Sequence, residues 1–144
     1  MNWLFENKEF TSEEIGDYVG FVYLITDLKN NKMYVGKKNF WSIRKLPPLK
    51  GQKRKRTKKA ESDWKNYFGS SEAVKLLVEE YGQDSFKREI LRLCKTKGEM
   101  SYFELYHQMI NHVLLDETYY NAFVGCKIHA NHVKALSKAD FKNI

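Results

Sequence analysis

An α+β fold is what the chain predicts, on three observations: a tight β-hairpin near the start, a separate β-rich run later, and two amphipathic helices of different pattern. Gly20 to Thr26 is dense in aromatic and β-branched residues, Leu28 to Asn31 is turn chemistry, and Lys32 to Gly36 returns as a second strand. Phe86 to Cys94, with Ile90, Leu91 and Leu93, predicts a third strand carrying one polar edge.

Ser70 and Ser71 cap a helix whose Val74, Leu77, Val78 and Tyr81 share a face, and Gly82 ends it. A second helix spans Gly98 to about Val113. Its polar Ser101, Glu104, Gln108 and Asn111 fall on one narrow stripe of an otherwise apolar cylinder, so that stripe must meet water or a site. Asn39 to Leu46 predicts a short helix with Asn39 as cap and Pro47-Pro48 as stop, and a basic loop follows over 47–62. Residues 1–18 form an arm in which Thr11 or Ser12 caps a short helix, and residues 122–144 form a polar, partly helical tail.

At 144 residues the expectation is a single domain, 1–144, with a core over about 20–121. Apolar residues at 42% suffice for a core without disulfides. No apolar run approaches the roughly 20 residues of a membrane helix, and the acidic start lacks the layout of a signal peptide, so a cytoplasmic protein with no membrane partner is expected.

Charge is the strongest compositional signal. Lys50, Lys53, Arg54, Lys55, Arg56, Lys58 and Lys59 fall in ten residues without an acid. Without those seven of the 25 basic residues, the remainder balances the 18 acidic ones, so the net +7 is one segment. Such a segment suits a polyanion, because neutralised phosphates release condensed counterions. A solvated loop or a localisation signal is the plainer reading of the same run.

Two cysteines fit a reducing compartment. Cys126, His129 and His132, with Cys94 as a fourth donor, could make a tetrahedral structural Zn²⁺ site, but the spacing is tighter than a zinc finger's, and free thiols with surface histidines are the favoured reading.

With a loop of two or four residues, Tyr23 and Tyr34 point to the same face of the hairpin. The triplets Phe21-Val22-Tyr23 and Tyr34-Val35-Gly36, ten residues apart, resemble the paired signature of the GIY-YIG nuclease superfamily. Arg44, eight residues beyond Gly36, is similar in position to that family's helix arginine. Glu104 stands where the family has its metal-binding glutamate, and Asn121 matches its late asparagine. Lys37 and the stretch from Tyr67 to Ser71 look like the small phage and homing branch. Phe21 replaces the name-giving glycine, and Pro48 stands where relatives often have a catalytic histidine or tyrosine, a role for which Tyr67 is the candidate substitute.

The resemblance implies a small central three-stranded antiparallel sheet flanked by helices. It also implies a metal-dependent DNA endonuclease, of the kind that serves phage homing or competition. In that reading Glu104 holds Mg²⁺ or Mn²⁺, Arg44 grips the phosphate of double-stranded DNA, and one hairpin tyrosine deprotonates the attacking water while the other orients water or phosphate, Tyr34 as base and Tyr23 as orienter being preferred over the reverse. Lys37 would favour the Tyr34 phenolate. The contrasting expectation is a nucleic-acid-binding module that kept the fold and lost the chemistry. Monomer and homodimer both stay open, as does host-cell cytoplasm for a phage-encoded chain.

Overall fold

Aromatic and β-branched residues over β3 (Gly20–Asp27) and alternation over β4 (Lys32–Asn39) build the expected hairpin, closed by the four-residue turn 28–31. In this computed structural model, which describes residues 2–125 and 127–141, Tyr23 pairs with Gly36 and Ile25 with Tyr34. Both tyrosines therefore lie on one face. The turn is held by Asp27, whose carboxylate accepts from the Lys29 and Asn30 amides, the Asn30 side chain and the Tyr120 hydroxyl. Burial alone would push Asp27 up, but these donors outweigh it and hold the carboxyl below its usual range.

The third strand, β7 (Phe86–Cys94), runs antiparallel along the other side of β3. A register shift after Val22 makes Leu91 an extra residue, a bulge that sends Leu91 and Arg92 to the same side. The resulting β7-β3-β4 core is the expected antiparallel trio, but the sheet is larger. Leu4–Phe5 (β1) joins β7 in parallel and Lys8–Glu9 (β2) joins β1, giving five strands in the order β2-β1-β7-β3-β4. The expected short helix of the arm is one turn, Ser12–Glu14, where Glu14 accepts from the Thr11 amide and hydroxyl.

The predicted helix over Asn39 to Leu46 is corrected to a strand. Asn39 closes β4, and Trp41–Leu46 (β5) pairs with Arg56–Glu61 (β6) in a separate two-stranded ribbon. The basic loop of 47–62 is thereby corrected too: its second half is β6, leaving 47–55 as the connection. Trp41 and Ile43 have the branching and bulk that strands favour, and Pro47-Pro48 stops a strand as readily as a helix.

Both long helices form where expected. Ser71 accepts from the Val74 amide at the start of α1 (Glu72–Tyr81), and Thr96 accepts from Glu99 at the start of α2 (Lys97–Ile110). They cover opposite faces. With α1, the ring-bearing face buries Trp3, Phe10, Phe21, Tyr23, Phe40, Trp64, Phe68 and Phe86. Under α2, a smaller cluster contains Val22, Val35, Cys94, Met100, Phe103 and Val113. The tail makes short turns at Ala130–Val133 and Lys138–Phe141, and Phe141 stacks on Phe103 at 4.9 Å. Among the described residues, no helix is long and apolar enough to cross a membrane.

Candidate active site

The outer edge of β4, the last strand of the sheet, is where the two faces meet. Tyr34 reaches it from the ring-bearing face, and Lys37, with the opposite strand parity, reaches it from the α2 side. Together with Ser70, Ser71, Glu104 and Gln108 they line a cleft of about 550 Å³. Glu104 thus meets Tyr34 around a strand edge, not across a common sheet surface.

Two glycines make room for the phenols. A Cβ on Gly36 would fall onto the Tyr23 hydroxyl and 2.5 Å from Cζ, so the triplet's glycine is the slot that Tyr23 occupies from the neighbouring strand. Gly69 has φ +90°, a left-handed conformation that favours glycine, and its missing side chain would press the Tyr34 ring at 3.3 Å. That turn delivers Ser70 to the Tyr34 hydroxyl at 2.9 Å, directly ahead of the α1 N-terminus.

The rings differ in access. Tyr23 is 1% exposed and packs 6.3 Å from Tyr34 and 6.0 Å edge-on from Tyr67. Burial first, then the neighbouring phenols, push its pKa well above the ordinary value. Tyr34 is half-buried, and burial raises its phenol too, opposed by the Ser70 hydrogen bond. Tyr67 is placed beside Tyr23 and lies under Lys38, whose Nζ is 4.1 Å from its ring centroid.

Lys37 turns toward α2. Its ammonium donates to the Ser101 hydroxyl at 2.7 Å, and its charge acts on Glu104. Burial pushes the Glu104 carboxyl up, and Lys37 only partly opposes this. Three members of the polar stripe of α2 face the cleft and the β4 edge, since Ser101 holds Lys37, Glu104 lines the cleft and Gln108 donates to the Val35 carbonyl at 3.1 Å, while the fourth, Asn111, is exposed and donates to the His107 carbonyl.

Asn121 is buried and fully engaged. Its amide accepts from the Val35 N–H at 3.1 Å and donates to the Val35 carbonyl at 2.8 Å, while Tyr119 bridges Met33 alongside. These bonds seal the part of the β4 edge next to the cleft. Asn121→Ala is expected to cost about 1–3 kcal/mol, since it strands a buried amide donor. Urea unfolding checks this, and a loss within about 0.5 kcal/mol would mean that the edge is not sealed there.

Arg44 does not line the cleft. It is exposed on β5 opposite Lys58, so its expected helical position beside the catalytic groups is corrected. Lys50, Lys53, Arg54 and Lys55 lie in the connection at the ribbon's tip, and Arg56, Lys58 and Lys59 lie on β6. Of the zinc candidates, Cys126 lies outside the described residues. The Cys94 thiol is buried and pushed up to about 12 by burial. His129 and His132 each use Nδ1 to accept a backbone N–H. No group of three or more His, Cys, Asp or Glu able to hold a metal exists among the described residues.

Sequence reasoning missed the α1 N-terminus in the lining of the cleft and the burial of Arg88. Arg88 is buried between the Trp3 and Phe68 rings and donates to the Lys65 and Tyr67 carbonyls, both at 2.9 Å, which fixes the loop presenting Tyr67. A charge in the middle of a strand gives no local sign of such burial.

A family model described as "Putative endonuclease segE, GIY-YIG domain" matches residues 3–124. The chain belongs to this GIY-YIG family. The match includes the N-terminal arm from Trp3 onward, in keeping with that arm's place as two strands of the GIY-YIG domain's sheet. No curated protein and no solved structure matches the chain.

Proposed function

We propose that this GIY-YIG domain is a divalent-metal-dependent endonuclease of double-stranded DNA, of the phage homing or competition kind and acting in the host cytoplasm. The observation that carries the reading is one cleft holding Glu104, Tyr34, Lys37 and the start of α1. A carboxylate whose charge is penalised by burial, with one lysine partly opposing, suits a hard cation, and Glu104 would hold Mg²⁺ or Mn²⁺ as the single protein ligand among waters. When bound, the ion supplies charge neutralisation at the phosphate and the departing 3′-oxygen.

The other groups divide the remaining work. The α1 N-terminus, whose first residues line the cleft, and the Lys37 ammonium bind phosphate oxygens. Tyr34, its hydroxyl steadied by Ser70, orients the attacking water; with its pKa raised it acts at neutral pH as a hydrogen-bonding phenol. Tyr23 is too deeply buried to reach substrate and props Tyr34 from below, with Tyr67 behind it. Asn121 acts through the β4 edge and is a positioning residue.

The test is nicking of supercoiled plasmid with Mg²⁺, with Glu104→Ala run beside the parent. Cleavage by the parent and none by the variant is expected; equal cleavage by both would remove Glu104 from the mechanism. The binding-module reading is favoured by one observation, the absence of Arg44 from the cleft. It predicts DNA binding without any nicking. Replacing Lys53, Arg54 and Lys55 by Gln is expected to weaken DNA binding for all sequences and to flatten its salt dependence, while leaving cleavage at saturating DNA nearly unchanged. An unaltered salt slope would exclude the segment as a phosphate contact.

A further inference from the structure

The β5–β6 ribbon has no buried face. All six residues of β6 are exposed, as are four of the six of β5, and the ribbon pairs with no other strand. A two-stranded ribbon of this kind is marginal by itself. Its register makes matters worse, because Arg44 stands opposite Lys58, and like charges directly across a ladder repel. Alternation sorts Ser42, Arg44, Leu46, Arg56, Lys58 and Ala60 onto one face, which has three cations and no acid. Packing does not account for such a surface.

The ribbon is nevertheless firmly rooted. Lys59 lies over the Trp41 ring at 4.5 Å. The Ser62 amide donates to the Phe40 carbonyl at 2.8 Å, and the Ser62 hydroxyl donates to Asn39 at 2.6 Å. Lys38 pairs with Asp63 at 2.6 Å while its ammonium covers Tyr67. β5 continues from β4 across a single residue, Phe40, so the strand that carries Tyr34 and Lys37 carries the ribbon as well.

We propose that this ribbon enters the major groove of duplex DNA and selects the cleavage site. The Arg44, Arg56 and Lys58 face lies against base edges, and the tip cations Lys50, Lys53, Arg54 and Lys55 lie on phosphates. The major groove, about 12 Å wide, admits a two-stranded ribbon, and arginine or lysine to a guanine edge is its commonest specific contact. Small neighbours on the same face, Ser42 and Ala60, let the ribbon approach closely. A polyanion between Arg44 and Lys58 converts their repulsion in the free protein into attraction on DNA. Arg44, absent from the cleft, thereby has a role on β5, the strand that follows β4 across Phe40. This inference rests on the proposal that duplex DNA is the substrate.

The experiment selects bound duplexes from a random-sequence library using the Glu104→Gln protein, with and without Arg44→Ala or Lys58→Ala. Both positions are exposed, so folding is preserved, and circular dichroism checks this. The parent is expected to enrich a short block of base pairs with about 10- to 100-fold preference per specified pair, lost at one position in each variant, and N7-methylation of guanine in that block blocks binding. A parent without base preference overturns the proposal, as does unchanged preference in both variants or indifference to N7-methylation. Because selection reads binding alone, failure of the nuclease reading appears separately, as preserved base preference in a protein that never nicks plasmid.

Discussion

Glu104→Gln is expected to lower DNA cleavage at least about a hundredfold and, in metal-free buffer, to raise the thermal midpoint. The two effects have one cause. Burial holds the Glu104 carboxyl above its ordinary value of 4.5, so the folded protein favours the protonated form more than the unfolded chain does. The stability linked to this group is fully present below the ordinary value and is lost as pH rises through the raised folded value. At neutral pH the ionised carboxylate is therefore a liability that glutamine removes. The stability difference between parent and variant should open as pH climbs above about 4.5 and close below it. Added Mg²⁺ should stabilise the parent and leave the variant unmoved, since an ion bound only by the folded state shifts the midpoint by mass action. Thermal melts at several pH values, with EDTA and with Mg²⁺, check all of this. A variant that melts below the parent in EDTA at neutral pH would contradict the buried-carboxylate account, whatever its activity.

Gly36→Ala should damage both stability and activity. The new methyl would meet the Tyr23 ring, which is packed beneath Trp3 and against Tyr67 and Tyr34 and has nowhere to go. Overpacking of this kind costs about 1–3 kcal/mol. Any shift of the Tyr23 ring also displaces Tyr34, whose hydroxyl must stay on Ser70 for the cleft to keep its shape. Cleavage should fall further than the loss of folded protein explains. Tyr23→Phe in the same chain should restore part of the stability, because the hydroxyl is the first atom the methyl meets; Cζ remains close, so rescue is partial. Denaturant unfolding of the two single variants and the double variant gives the coupling. A tolerated Gly36→Ala, or no coupling to Tyr23→Phe, would show that the slot does not constrain the ring.

These two positions also mark how far the chain could be read. The shared face of Tyr23 and Tyr34 followed from strand period and turn length, and β7, α1 and α2 followed from local patterning, because each is long enough to carry its own signal. Trp41 to Leu46 misled because a six-residue run beside a proline pair satisfies helix and strand equally; the deciding partner, β6, is held by non-local hydrogen bonds. β1 and β2 are two residues each and exist only through pairing with β7 and with each other, so no local pattern could announce them.

By itself the sequence determined which chemical groups are present, which helix stripe had to stay polar, and where the positive charge is concentrated. Residue type and short-range periodicity suffice for those. The tertiary structure alone decided that Lys37 bonds to Ser101 with its charge on Glu104, that Asn121 is spent on the Val35 backbone, that the α1 N-terminus lines the cleft, and that Arg44 stands outside it. Each depends on which groups converge at the edge of β4, and convergence is set by pairing and packing between segments far apart in the chain.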